Sequence, residues 1–123
     1  MTNVPPPTTA AEDVVVVVSG GDLDMDGASD LSIDLGLAIS ARPRAVIADL
    51  TAVRFLSAAG LSALERAHHH ADAVHSRLAV VAAQRCVLLP LALTRLDAVL
   101  TMFRDLSAAR TFVNDLLGAE LGP

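Results

Sequence analysis

The chain has 123 residues, of which 53% are hydrophobic and 19% charged, so it fits one globular domain and is not disordered throughout. Its 9 basic residues, all arginine, and 14 acidic residues give a net charge of -5, which argues against direct nucleic-acid binding because that function needs a basic footprint. The absence of lysine excludes Schiff-base and P-loop lysine chemistry, and the single cysteine excludes an intramolecular disulfide and any multi-cysteine metal site.

The N-terminal segment differs in character from the rest of the chain. Residues 1–12 include Pro5-Pro6-Pro7 and show no apolar periodicity, which predicts a disordered, proline-rich leader before a domain at residues 13–118 and a tail at 119–123. No basic and apolar segments of a signal peptide are present. The longest apolar runs, 14–18 and 87–93, are far shorter than the roughly 20 residues that span a bilayer. We therefore expect a cytoplasmic protein without membrane insertion.

Strand and helix patterns alternate along the rest of the chain. Continuous apolar runs predict strands buried on both faces at 14–18, 45–50 and 78–82, and a short edge strand is expected at 100–103. Apolar residues at helical spacing predict helices at 28–38, after Ser57, at 87–96 with Pro90 in or near the first turn, and from a cap at Ser107 to Gly118. This alternation predicts an α/β fold with a mostly parallel sheet.

The segment from Asp22 to Asp30 is similar to a calcium-binding loop. It has oxygen ligands at loop positions 1, 3, 5 and 9 and a glycine at position 6. Position 12, however, is Ile33 instead of a bidentate glutamate, and the segment follows a strand rather than a helix. The favoured interpretation is a strand-to-helix turn whose carboxylates lie near a positive helix start, with a calcium-binding protein as the alternative. No other metal site is predicted, because the histidines at 68–70 and 75 lack the i,i+3 or i,i+4 spacing of helical ligands.

Nothing in the sequence indicates an enzyme or a bound cofactor. It contains no Gly-x-Ser-x-Gly nucleophile turn and no glycine-rich phosphate loop. Cys86 follows Arg85, whose charge favours the reactive thiolate, so Cys86 is a candidate redox sensor. An inert, half-buried cysteine at a helix start is the commoner arrangement.

The junction after the second predicted strand is the most informative part of the chain. The small residues Ala58, Ala59 and Gly60 follow Ser57 and begin a helix. A helix start presents free N–H groups and a partial positive charge, and small side chains allow another backbone or a phosphate to come close. Ser57 is expected to be the N-cap, with its hydroxyl accepting a hydrogen bond from the N–H of Ala59 or Gly60.

Four stretches in this order resemble the STAS domain family, in particular its anti-sigma factor antagonists. They are S-G-G-D-L-D at 19–24, V-I-A-D-L-T at 46–51, F-L-S-A-A-G-L at 55–61 and L-T-R-L-D at 93–97. They are similar to the family patterns G-E-L-D, V-x-L-D-L-S, F-I-D-S-S-G-L and L-T-G-L-D, and the likeness extends from Val14 to Leu117. The resemblance implies an α/β fold with a mixed, mostly parallel sheet flanked by about four helices.

The resemblance also implies a binding function without catalysis. A family antagonist binds an anti-sigma factor, often an ATP-dependent serine kinase, and so releases a sigma factor to RNA polymerase. We therefore expect an anti-sigma factor as partner, and a chain that is a monomer or a weak dimer. The implied partner-binding residues are Asp22, Leu23, Asp24, Ser57, Ala58, Ala59, Gly60 and Leu61. A second possibility within the family is a subunit of a lipid-transport or other ABC-type membrane complex.

The usual phosphorylation site of the family is altered in this chain. In the family the kinase modifies a serine or threonine of the D-S-S-G segment, and the added charge of about -1.5 to -2 breaks the contact. Here the Asp position has Ser57, the acceptor position has Ala58 and the next serine is Ala59. The favoured hypothesis is an antagonist that is not switched at this position. The alternative is phosphorylation of Ser57, displaced by one residue. Arg95 also replaces a family glycine.

Overall fold

A computed structural model describes residues 14–121, and the side chains of all of these except 117 and 119–121. Within this range four strands alternate with four helices, and one turn of 3-10 helix, Leu96–Ala98, precedes the last strand. The strands are β1 (Val14–Leu23), β2 (Ala45–Leu56), β3 (Arg77–Val81) and β4 (Thr101–Phe103). The helices are α1 (Met25–Ser40), α2 (Ala58–Ala73), α3 (Arg85–Leu93) and α4 (Leu106–Leu121). The predicted leader at 1–12 lies outside the described residues.

The strands form one sheet in the order β1-β2-β3-β4. All three pairings in the described residues are parallel. Parallel neighbours need a crossover segment between them, and α1, α2 and α3 supply these crossovers. The predicted α/β fold with a mostly parallel sheet is therefore confirmed.

The helices cover both faces of the sheet unequally. Side chains of α1, α2 and α3 form the larger core cluster with Val46, Ala48 and Leu50 of β2. On the opposite face, α4 packs with the alternate β2 residues Ala45 and Ile47. Because β2 is covered on both sides, its first half is apolar without alternation, as the sequence indicated.

Strand β1 differs from its prediction in burial and in length. Its valines are half-buried and Val18 is 68% exposed, because in the described part of the chain β1 pairs only with β2 and lies at an edge. The strand also continues through Gly20 and Gly21, where we expected it to end. Pairing with β2 shifts register on both sides of these glycines, and Gly21 has φ +72°. At each shift β2 has one more residue than β1, so the irregularities in β2 lie opposite the glycine segment of a longer β1 strand.

Two helices also differ from the sequence-based expectations. Pro90 lies inside α3 near its C-terminal end rather than in the first turn, so the helix lacks one backbone bond there and ends at Leu93. At the start of α4, the Asp105 carboxylate accepts from the N–H of Ala108 at 2.7 Å, so Asp105 caps the helix and Ser107 does not. Helix α4 continues through Gly118 to Leu121, because a single helical glycine costs only about 1 kcal/mol.

Candidate partner-binding surface

The far ends of β1 and β2 extend beyond the rest of the sheet. Strand β3 pairs with β2 only as far as Asp49, whereas β1 stays paired with β2 until Leu23 lies opposite Leu56. The next residues of these two strands, Asp24 and Ser57, are the N-caps of α1 and α2. Two helix starts with free N–H groups are therefore held side by side at the end of a two-stranded extension.

Ser57 is the N-cap that the sequence predicted. Its Oγ accepts from the N–H of Gly60 at 3.3 Å. The same hydroxyl donates to the carbonyl oxygen of Leu23 at 2.5 Å, and the Ser57 N–H donates to that oxygen at 3.1 Å. Ser57 thus caps α2 and also ties it to the end of β1.

The predicted contact residues divide into an accessible group and a buried group. Ala58 is exposed and Ala59 is partly exposed. Leu23 and Gly60 are buried and present no accessible side chain to a partner. A Cβ on Gly60 would lie 2.6 Å from Leu56 Cδ1 and 3.2 Å from Leu23 Cβ, so Gly60 lets α2 pack against β1. We define the Ser57 surface by the predicted residues that are accessible, which are Asp22, Asp24, Ser57, Ala58, Ala59 and Leu61.

Three further residues border the Ser57 surface and were not predicted. Phe55 is half-exposed and pairs with Asp22 across the extension. The neighbouring Arg54 lies 3.9 Å from the Asp22 carboxylate in an exposed ion pair, which contributes little to stability. Met25 is exposed and lines a groove together with Ala59. The sequence predicts that β2 ends at Leu50. The pairing of residues 52–56 with β1, which brings these side chains together, therefore does not follow from the sequence patterns.

Gln84, immediately before α3, supports the half of β2 that pairs with β1 but not with β3. Its Nε2 donates to the carbonyl oxygens of Leu50 at 2.7 Å and Val53 at 2.8 Å, and lies 3.3 Å from that of Thr51. Its Oε1 accepts from the N–H of Ala83 at 3.0 Å. Past Asp49, where β3 no longer pairs with β2, one side chain therefore satisfies carbonyl groups that a neighbouring strand would otherwise bind.

We expect Gln84→Met to lower the free energy of unfolding by about 1–3 kcal/mol, because it keeps the bulk of the side chain and removes its donors from buried or half-buried carbonyls. Gln84→Glu, whose carboxylate cannot donate, should lose at least as much. Urea unfolding followed by circular dichroism measures both. Gln84→Met with the stability of the wild type would contradict this role.

Cys86 and the acidic turn complete the sequence-based candidates. Cys86 is exposed rather than half-buried, and its Sγ lies 3.5 Å from the carbonyl oxygen of Val53. Its redox role stays a prediction. Asp24 caps α1 by accepting from the N–H of Gly27 at 2.9 Å, and Asp26 and Asp30 are part of that helix. The segment therefore does not form the loop that the calcium-binding alternative requires. Among residues 14–121, no three His, Cys, Asp or Glu residues form a group that could hold a metal ion.

The fold and the Ser57 surface together define an α/β domain that presents two adjacent helix starts. Comparison with known proteins identifies its family. The family model of the STAS domain matches residues 5–109. The crystal structure of an anti-sigma factor antagonist from Mycobacterium paratuberculosis superposes with a TM-score of 0.77 and 31% identity, covering 84% of this chain and 87% of that chain. This chain therefore belongs to the STAS domain family.

Two more distant structures share the fold. One, from Thermotoga maritima, has a TM-score of 0.76 at 18% identity and covers 84% of this chain and 89% of that chain. The other is the anti-sigma factor antagonist SpoIIAA in its unphosphorylated form, with a TM-score of 0.68 at 16% identity, covering 82% of this chain and 89% of that chain. No curated protein matches the chain. None of the helices within residues 14–121 has the length and apolar character needed to cross a membrane.

Proposed function

We propose that this chain is an anti-sigma factor antagonist. It binds an anti-sigma factor through the Ser57 surface in the cytoplasm, thereby releases a sigma factor, and catalyses no reaction. The main support is the accessibility of Ala58 and Ala59 at the start of α2, where a partner can approach the backbone closely. The relative that is 31% identical is itself an anti-sigma factor antagonist.

The chemistry of the Ser57 surface favours binding over catalysis. Ala58, Ala59 and Leu61 have no reactive groups, and the Ser57 hydroxyl is bonded to Leu23 and Gly60 rather than to a general base. The net charge of -5 raises the rate of encounter with a basic partner surface more than it raises the final affinity. These properties suit a regulator that competes for a binding partner.

Calorimetric titration of the anti-sigma factors of the source organism tests this function. We expect one of them to bind the chain and, as a result, to release its sigma factor in a competition assay. Absence of binding to all of them would contradict the proposal. Co-purification with a transporter ATPase in its place would support the alternative, a STAS subunit of an ABC-type membrane complex.

We further propose that the antagonist is not switched by phosphorylation at the start of α2. The exposed acceptor position is Ala58, which has no hydroxyl. Ser57 is part-buried, and its hydroxyl both donates to Leu23 and accepts from Gly60. A kinase would have to break both hydrogen bonds before it could modify Ser57. This requirement disfavours the alternative in which Ser57 is phosphorylated.

Treatment with the cognate kinase and ATP is therefore expected to leave the intact mass of the wild-type chain unchanged. Ala58→Ser restores an exposed hydroxyl at the acceptor position and is expected to gain one phosphate, since it is the residue type that the family's kinase modifies. Ser57→Ala is the matched control. A phosphate that appears on the wild type and is lost in Ser57→Ala would show that Ser57 is the acceptor.

A further inference from the structure

Helix α1 exposes a row of large apolar side chains to solvent. Met25 is 80% exposed, Ile33 56% and Leu37 69%. Their spacings of eight and four residues place them along one side of the helix, over about 18 Å of its axis. Ile33 and Leu37 are one turn apart, and Met25 lies two turns before Ile33 with Ser29 between them. Large apolar side chains grouped in this way on one exposed helix face are typical of a surface that another molecule covers.

A row of carboxylates runs beside these apolar residues. Asp26, Asp30 and Asp34 are exposed and follow one another at intervals of one helical turn. Helix α1 itself contains no arginine, lysine or histidine to offset their charge. The exposed side of α1 is therefore both apolar and strongly acidic.

A groove separates this side of α1 from α2. The groove has a volume of about 400 Å³, and its walls carry small side chains, among them Ser29, Ser32, Ala59 and Ser62. Among the described residues that line it, Arg66 on the α2 wall is the only charged one. Small residues on both walls leave room for an elongated apolar ridge, such as one side of a helix.

We propose that the exposed face of α1 binds a basic amphipathic helix of a protein partner. The apolar side of that helix would pack on Ile33 and Leu37, and its arginine or lysine side chains would lie over the carboxylates of Asp30 and Asp34. This contact runs along α1 and meets the Ser57 surface at Met25 and Ala59, but it does not depend on the proposed function.

The charge of α1 disfavours the other occupants of an apolar face. Anionic lipid headgroups and nucleic-acid phosphates would both be repelled by its aspartates. A second copy of the chain in a two-fold contact would bring two identical acidic rows together. A positively charged helix has the complementary charge, and its apolar side covers the exposed residues.

The probe for this proposal is a synthetic helical peptide of about 18 residues with leucines on one side and arginines flanking them. It is titrated into the isotope-labelled full chain, and amide chemical shifts identify the binding site. We expect shifts in residues 25–37 and on the facing side of α2. A peptide with glutamates in place of the arginines, and a scrambled peptide of equal composition, should each bind at least about tenfold more weakly.

Paired variants of the chain provide the controls. The double variant Ile33→Ser, Leu37→Ser should weaken the arginine peptide at least about tenfold, whereas Leu93→Ser, at an exposed leucine of α3, should not. The double variant Asp30→Asn, Asp34→Asn should weaken binding of the arginine peptide several-fold and reduce the dependence of that affinity on salt concentration. Asp115→Asn on α4 should leave both the affinity and its salt dependence unchanged.

Four results would overturn the proposal: no saturable binding of the arginine peptide, equal binding of the glutamate or scrambled peptide, shifts confined to another surface, or unchanged affinity in the Ile33 and Leu37 variant. A fifth such result would be self-association of the chain that this variant abolishes, because it would assign the face to a second copy. Anti-sigma factor titrations do not use the peptide, so their outcome is separate from this test.

Discussion

Ala59→Arg is expected to abolish binding of the anti-sigma factor while leaving the domain folded. Ala59 lies in the first turn of α2, partly exposed and next to Met25 across the groove. A long charged side chain there prevents close approach and repels a basic partner, so we expect an affinity loss of at least about 100-fold, or about 2.7 kcal/mol. The new charge at a helix start should cost the fold only about 0.3–1 kcal/mol.

Ala108→Arg is the matched control for this variant. Ala108 is likewise an alanine in the first turn of a helix and is exposed, but α4 packs on the opposite face of the sheet. Its substitution should leave the binding isotherm unchanged. Calorimetry gives the affinities, and thermal unfolding shows whether both variants are folded. Wild-type affinity in a folded Ala59→Arg protein would remove the Ser57 surface from the proposed interface.

Gly27→Ala should destabilise the domain by about 1–3 kcal/mol, even though alanine is the better helix former. A Cβ at Gly27 would overlap the carbonyl oxygen of Asp22, and it would lie 3.5 Å from Leu23 Cδ2. The overlap is with backbone, which a side-chain rotation cannot relieve. Relief requires α1 to move away from β1, and that movement also displaces the cap at Asp24.

Gly36→Ala in the same helix should have the opposite sign. A Cβ at Gly36 meets no atom within 4 Å, so only the backbone preference changes and we expect a gain of about 0.5–1 kcal/mol. Urea unfolding of both variants measures the difference. Equal changes in the free energy of unfolding at Gly27 and Gly36 would mean that α1 can move away from β1 without loss of stability, which would contradict this prediction.

The sequence predicted the fold best where burial determines the pattern. Strands β2 and β3 in the sheet centre have continuous apolar runs. Those runs predicted the start of β2 at residue 45, the position of β3 to within one residue and the parallel class of the sheet. The prediction from the sequence failed where the strands are more exposed to solvent. The second half of β2 contains Thr51, Arg54 and Phe55 and has no apolar run, because within residues 14–121 it pairs there with β1 and no longer with β3. Backbone pairing, rather than side-chain burial, determines its length.

The sequence predicted those features of the Ser57 surface that depend on neighbouring residues. It did not predict the features that depend on contacts between residues far apart in the chain. The cap at Ser57 depends on residues within one turn, so small residues after a serine were sufficient to predict it. The bond from Ser57 to Leu23 and the bonds from Gln84 to β2 join positions more than 30 residues apart. Burial of Leu23 and Gly60 follows from that same long-range packing, which residue type and local spacing do not reveal.

Gln84 connects the start of α3 to the strand that leads to the Ser57 surface. Its side chain spans from the start of α3 to the carbonyls of Leu50 and Val53, and β2 then leads directly to Ser57. A molecule that bound α3 and shifted its first turn would break the bonds from Gln84 to β2. If that loss changed the affinity of the Ser57 surface for its partner, thermodynamic reciprocity would require occupancy of that surface to change the affinity at α3 by the same factor.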